Sequence, residues 1–305
     1  MENRLVSVIM PCYREPLEYF RAAVESVLQQ TYKSIELVLI LDDPANTELR
    51  KSGERYAKTD ARVHFYINEK NLKLTATLNK GIKLTNGDII ARLDADDIAL
   101  PARIEKQMAY VDEYDLISTN FAFINSKGTI IRHRVFPTED AAIKYYLTNI
   151  ADCMYHTTWL GKKSTFLALN GYREIGPFED YDFLLRAVKK NLKLYNLHEE
   201  LTYYRMNTEG ISFNNRVRQH LGSEFVREHH DQIETIGVSD IDDYLASSTG
   251  KKHADAYRSF CSVKNKIISA NNTGEYIKRL LLYGPYLSIF NYYGRKFLLN
   301  SLFRR

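Results

Sequence analysis

No run of about 18 consecutive apolar residues occurs anywhere in the chain, so no membrane-spanning helix is expected. Cysteine is scarce. Cys12, Cys153 and Cys261 are the only three, they lie far apart, and none belongs to a C-x-x-C. Neither a zinc site nor a disulfide framework is expected, and a reducing compartment suits the chain. Glycine is scarce too, 14 of 305 residues, and no G-x-G-x-x-G is present, which removes the dinucleotide-binding fingerprint. Met1-Glu2-Asn3-Arg4 leads at once into a strand-like run, so no signal peptide is expected. Internal repeats and low-complexity tracts are also missing.

What is present is ordinary for a globular protein: 45% apolar and 26% charged residues. The length suits one large domain of about 200–250 residues plus an appendage. The net charge of +4 is unevenly placed. From Lys264 to Arg305 eight basic residues face a single acid, Glu275, which leaves the rest slightly acidic. No basic stripe crosses that body, so nucleic acid is not expected as a partner.

The first hundred residues alternate. Val6–Met10, Ile35–Leu41, Val63–Ile67 and Ile89–Leu93 read as strands, the first, second and fourth as buried apolar runs. Leu17–Gln30, Glu48–Lys58 and Leu74–Leu84 read as helices between them. That order predicts a parallel sheet with helices on both faces and right-handed crossovers. Arg103–Tyr114 reads as the next helix, then Leu116–Ile124 as a strand leading through Asn125-Ser-Lys-Gly128 into a hairpin with Thr129–His133. A helix follows from Thr138 to Leu147, another over Glu179–Lys190, and a last short strand over Leu201–Arg205. The alternation stops near Ser212–Arg218, which predicts a catalytic domain over 1–213 and a helical region over 214–305.

Within this frame Asp94, Asp96 and Asp97 crowd the end of the strand Ile89–Leu93, just before Pro101 opens a helix. Three carboxylates so close repel one another unless a cation or other donors sit among them. In open α/β sheets ligands bind at the carboxyl ends of strands. Mg²⁺ takes one or two protein carboxylates and completes its shell with phosphate oxygens and water. The cluster therefore reads as a hard-cation site, against the plainer alternative of a solvated acidic turn.

Several segments in order carry a resemblance. They are Val6-Ser-Val-Ile-Met-Pro-Cys-Tyr13, Ser26–Tyr32, Glu36–Asp43, Asn79-Lys-Gly-Ile82, Gly87–Asp97, His156-Thr-Thr158, Gly171-Tyr-Arg-Glu174, Glu179-Asp-Tyr-Asp182, and Tyr204-Arg205 with Ser212. Together they resemble a family 2 glycosyltransferase of the GT-A type, of the kind that builds bacterial surface polysaccharides. The match covers residues 5 to about 213. The resemblance implies a GT-A nucleotide-diphospho-sugar transferase fold, a mixed and mainly parallel sheet with flanking helices, and transfer of a sugar with inversion. It also implies a nucleotide-sugar donor, a UDP-sugar by preference, a saccharide or lipid-linked acceptor, and Mn²⁺ or Mg²⁺.

Carried over residue by residue, the family pattern puts Pro11 and Tyr13 at the border of the nucleotide pocket. It gives Asp43 a hydrogen bond from the base, and places Asp94 against the ribose or, through water, the metal. Asp96 becomes the main metal ligand and Asp180 the general base. An inverting displacement needs only a carboxylate to take the acceptor hydroxyl's proton, and no covalent nucleophile. Asp43 also suits a turn or helix cap, and Asp180 a helix N-terminus. His156 and Arg205 match positions near the acceptor or diphosphate, and Trp159 suits either stacking on a sugar face or core packing.

Two departures stand out. Asn71-Leu72-Lys73 replaces a frequent Asn-x-Gly, with Lys73 a candidate for the diphosphate, and the His often found two residues after the Tyr-Arg arginine is Asn207 here. The basic aromatic segment from Lys264 suits peripheral contact with an anionic membrane at the inner face of the plasma membrane, or else a packed helical cap. A nucleotidyltransferase would want a Gly- and Lys/Arg-rich phosphate loop after the first strand, and a silent nucleotide-sugar-binding scaffold would not need Asp180 beside Asp43 and Asp96.

Overall fold

The computed structural model describes residues 4–206 and 215–268 and the isolated positions 278, 282 and 293. The described residues fall into two compact units, one of residues up to Asn214 with Val226–Thr235, the other of Asn215–Phe225 with Ile236 onward.

The first unit is built on a nine-stranded sheet. Strands β1 (Val6–Cys12), β2 (Ile35–Leu41), β3 (Val63–Ile67) and β4 (Ile89–Arg92) stand in the order β3-β2-β1-β4 and all run parallel. Every residue of β1, β2 and β4 is buried, as expected of parallel strands covered on both faces. Helices α1 (Leu17–Leu28), α2 (Thr47–Thr59) and α3 (Lys73–Leu84) make the crossovers. Asn46 caps α2 by accepting the Leu49 amide at 3.1 Å. The one charge in β2, Glu36, is held at the edge opposite the strands' carboxyl ends. Burial raises its pKa, but hydrogen bonds from Ser7 and from Asn86 in the turn before β4 outweigh that and hold it below the ordinary carboxylate range.

Beyond β4 the direction alternates. Strand β8 (Leu160–Lys162) runs antiparallel to β4 and to β6 (Leu116–Ile124), while β9 (Leu194–Arg205) runs parallel to β6. The two-residue β5 (Ile98–Ala99) lies antiparallel on β9, and β7 (Ile130–Arg134) folds back on β6 as the expected hairpin. The remaining helices of this part are α4 (Arg103–Met108), α5 (Asp140–Asn149), α6 (Lys163–Ala168) and α7 (Glu179–Lys189). Two sequence expectations fall short. The helix from Arg103 ends at Met108 rather than Tyr114, and the last strand begins at Leu194 rather than Leu201.

Helices α8 (Arg216–Glu228), α9 (Val238–Ala246) and α10 (Ser248–Ile268) follow. Leu221, Ala254, Phe260 and Tyr293 form a small core of the second unit. Apart from 264–268, 278, 282 and 293, the basic aromatic segment expected to meet a membrane lies outside the described residues, as do Asn207 and Ser212.

Candidate active site

Because β2, β1 and β4 are parallel neighbours, the segments after them open on one edge of the sheet. Pro11 is buried within β1 and Tyr13 follows it half-buried. Asp43 follows β2. Its Oδ1 accepts the Ala45 amide at 3.1 Å and its Oδ2 accepts Arg14 Nε at 2.7 Å. The Arg14 guanidinium holds this carboxyl below the ordinary range, and it also lies 4.7 Å over the Tyr13 ring. Tyr13, Arg14 and Asp43 thus form one lip; the sequence expectation named Tyr13 and Asp43 and did not include Arg14.

The acidic loop after β4 is placed by β9. Ile98 pairs antiparallel with Tyr203, so the preceding Asp97 and Asp96 lie alongside Tyr204 and Arg205. Arg205 donates its amide to Asp97 Oδ1 at 2.7 Å and Nε to the Asp96 carbonyl at 2.9 Å. Its Nη1 donates to the carbonyls of Asn125, at 3.1 Å, and Ser126, at 3.3 Å, and its guanidinium lies 4.0 Å over the Tyr19 ring. Arg205 therefore braces the loop from inside. That bracing contact was not part of the sequence expectation, which set Arg205 near the acceptor or diphosphate.

Within the loop Asp94 Oδ1 accepts Arg92 Nη2 at 2.5 Å, and the Asp94 amide donates to Thr157 Oγ1 at 3.0 Å. Asp96 is pushed up to about 7, first by burial and then by the charges of Asp94 and Glu15. Asp97 is buried, and burial with Asp96 and Asp94 raises its carboxyl well above the ordinary range. Its Oδ2 has the Thr157 hydroxyl nearby but no hydrogen bond of normal length.

These residues fit a divalent cation of a particular kind. No three His, Cys, Asp or Glu side chains converge in ligand geometry among the described residues. A cation here would take Asp96 and Asp94 and leave the rest of its shell to donor oxygens and water, as Mg²⁺ commonly does. The under-compensated Asp97 oxygen and the mutual repulsion of Asp94, Asp96 and Glu15 are what positive charge would relieve.

Asp180 sits in the first turn of α7. Its Oδ1 accepts the Tyr181 amide at 2.7 Å. Burial pushes it up to about 6, with Asp94 adding and Arg92 opposing. Glu179 beside it is pushed up to about 8 by burial and by Asp180. Asp152, on the loop before β8, is raised well above the ordinary range by burial and by Asp180. The first turn is fixed from behind. Asp182 is wholly buried between Arg186, whose Nε donates at 2.8 Å, and Arg173, and Arg186 Nη2 also reaches the Gly171 carbonyl at 2.9 Å. The charges of Asp94 and Arg92 both act on Asp180, so the first turn of α7 lies within electrostatic reach of the residues after β4.

His156 opens a short 3-10 turn, and its Nε2 is 2.8 Å from the Tyr172 hydroxyl. Burial, with Arg92 adding, holds its pKa well below the ordinary imidazole value, so it is neutral. Trp159 is completely buried. Its Nε1 donates to the Met154 carbonyl at 2.7 Å, and His156, Tyr172 and Phe183 pack around its rings. No face of it is open to a sugar, so the stacking expectation gives way to core packing. Lys73 opens α3 with φ of +66°, a left-handed conformation that glycine adopts without penalty. That accounts for glycine being frequent there in the resembled pattern.

Sequence reasoning missed Glu15, Arg92 and Asp152. Arg92 is the most telling, a buried guanidinium paired with Asp94 whose charge is felt by Glu15, His156, Glu179 and Asp180. The available signal was a lone charge inside the otherwise apolar run Ile89–Leu93.

Residues 7–167 match the model of glycosyl transferase family 2. A glycosyltransferase of Methanocaldococcus jannaschii is 31% identical over 239 residues, 75% of this chain and 80% of that one. The O-antigen biosynthesis glycosyltransferase WbnJ of Escherichia coli is 33% identical over 209 residues, 67% of this chain and 81% of that one. Among solved structures, Staphylococcus aureus TarS 1–349 in complex with UDP-GlcNAc superposes with a TM-score of 0.56 at 15% identity, over 93% of this chain and 80% of that one, a likeness of fold.

Proposed function

Because the chain belongs to glycosyl transferase family 2 and is a glycosyltransferase, we propose that it moves a sugar, with inversion and with a divalent cation, from a UDP-sugar to a saccharide or lipid-linked saccharide in surface-polysaccharide synthesis. The supporting observation is that Asp94, in the acidic loop after β4 with Asp96, acts electrostatically on Asp180 at the start of α7. The donor's diphosphate lies at the first and the acceptor hydroxyl at the second. A relative named for O-antigen synthesis and a fold neighbour bound to UDP-GlcNAc favour this substrate class.

Each residue has a part. The lip of Tyr13, Arg14 and Asp43 borders the base, with Asp43 ionised and accepting. Asp94 and Asp96 would hold the cation, which when bound would supply positive charge against the diphosphate. Asp180 takes the proton from the acceptor hydroxyl as it attacks from the opposite face. A carboxyl raised to about 6 is ionised at neutral pH and a stronger base than an ordinary aspartate. Residues 1–213 form the catalytic domain and 214–305 a helical region, and the protein works in the cytoplasm at the inner face of the membrane. No helix among the described residues is long and apolar enough to cross one.

The test is release of nucleoside diphosphate from a panel of nucleotide sugars with acceptor present. Asp180→Asn should lower turnover by roughly 10²-fold or more and leave donor binding intact. A variant that turns over normally removes Asp180 from the reaction.

A further inference from the structure

The β6–β7 hairpin is exposed at every position from Ser126 to His133. Ile130, Ile131 and Val135 are 41%, 54% and 62% exposed, three large apolar side chains within six residues. Clusters of this kind on a folded chain mark contact surfaces more often than isolated apolar residues do. Between residues 125 and 138 the charged residues are Lys127, Arg132 and Arg134, with His133 and no acid. The acid facing the strand from outside is Glu200, 2.8 Å from His133 Nδ1.

The edge is poorly suited to another strand. The ladder slips between Phe123 and Ile124, leaving Ile131 without a partner across β6, and such bulges, with charges, blunt an edge. A second copy paired antiparallel about Arg132 would set Arg132 against Arg132 and Ile130 against Arg134. A turn and strand exposed along their length, apolar at Ile130, Ile131 and Val135 and cationic at Lys127 and at Arg132, which lies 4.9 Å over the Phe123 ring, suit a lipid surface instead, where apolar side chains enter the headgroup boundary and cations meet phosphates. The turn that joins the two strands is tied to the body of the domain and to the acidic loop. Tyr19 Oη and Arg205 Nη1 both donate to the Ser126 carbonyl, and Arg205 Nε donates to that of Asp96.

We propose that the β6–β7 hairpin is a membrane-docking finger for anionic bilayers, with Ile130, Ile131 and Val135 inserting and Lys127 and Arg132 meeting lipid phosphates. The proposal is separate from the basic C-terminal segment, and its bearing on the reaction rests on the lipid-linked acceptor proposed above. Through Arg205 it would hold the acidic loop at a fixed height above a lipid-borne acceptor.

The experiment is sedimentation of the full chain with vesicles of phosphatidylcholine alone and with about 30% phosphatidylglycerol, at low and high salt. Ile130→Ser/Ile131→Ser/Val135→Ser should lower partition onto the anionic vesicles by roughly tenfold or more at both salts. Lys127→Glu/Arg132→Glu should lower it at low salt, with the difference narrowing at high salt. Unchanged partition of both variants overturns the proposal. So does wild-type protein that ignores anionic vesicles, or light scattering that shows a wild-type dimer turned monomer by the serine variant.

Discussion

Asn79 and Tyr172 exchange two hydrogen bonds across 93 residues of sequence: Asn79 Nδ2 donates to the Tyr172 carbonyl at 2.8 Å, and the Tyr172 amide donates to Asn79 Oδ1 at 2.9 Å. The same Tyr172 presents its hydroxyl to His156. Gly171, just before it, has φ of +68°, and a Cβ there would stand 2.3 Å from Asn79 Oδ1. The Asn79 and Gly171-Tyr172 motifs are therefore two halves of one clamp that seats the segment leading to α7.

Breaking the clamp should cost stability before it costs chemistry. Asn79→Ala removes both bonds and is expected to destabilise by about 2 kcal/mol, at about 1 kcal/mol for each hydrogen bond. Gly171→Ala adds a left-handed backbone penalty of about 1–2 kcal/mol and a clash, so it should cost more. Urea denaturation of the two variants checks the order.

Asp180→Asn should lower kcat by roughly 10²–10⁴-fold, the usual range for a positioned proton acceptor. Donor affinity, measured by calorimetry, should stay within about twofold, because Asp180 is assigned to the acceptor side.

The acidic limb of kcat/KM should fall near pH 6, where burial has moved Asp180. Stability has the opposite sign. A carboxyl whose folded pKa is raised favours the protonated form. Its contribution is therefore greatest below the unfolded value, near 4, and is lost as pH rises through about 6. Glu179, pushed up to about 8, extends that loss to higher pH. Denaturation from pH 4.5 to 8, compared with Asp180→Asn, should show a flatter profile in the variant.

Chelation of divalent ions should abolish donor-induced thermal stabilisation as well as turnover. Asp96→Ala should do the same without chelator, since burial and the charges of Asp94 and Glu15 leave the Asp96 carboxylate in need of a cation. Donor binding indifferent to both treatments would remove the cation from the site.

Lys73→Gly should raise stability by about 0.5–1 kcal/mol, the relief of a left-handed lysine less the added freedom of the unfolded chain. If Lys73 also meets the diphosphate, donor KM should rise in the same variant, and an unchanged KM leaves the residue a purely conformational role.

The first four strands and the acidic residues after them were legible because those strands are mainly apolar runs. Ile35–Leu41 is interrupted only by Glu36, and Asp43 and Asp94–Asp97 stand where such runs stop. Leu194–Glu200, the first half of β9, was missed because its apolar residues are interleaved with polar ones and its His198 and Glu199 are exposed. Leu160–Lys162 is too short to show any period. Trp159 could not be assigned from sequence, since an aromatic ring serves a sugar face or a core equally until its neighbours are known. Asp152 and Glu15 gain meaning only from folding, when chain segments far apart in order are brought against Asp180 and Asp94.

One guanidinium, that of Arg205, is shared by Asp96, Asn125 and Ser126. Chimeras that graft the second half of a related enzyme onto this first half, in search of new acceptors, therefore have a hidden requirement. A junction placed anywhere between Asp97 and Tyr204 parts Arg205 from the Asp96 carbonyl it holds. The transplanted half must bring its own arginine at that register, or the exchange meant to alter acceptor choice will loosen the donor loop instead.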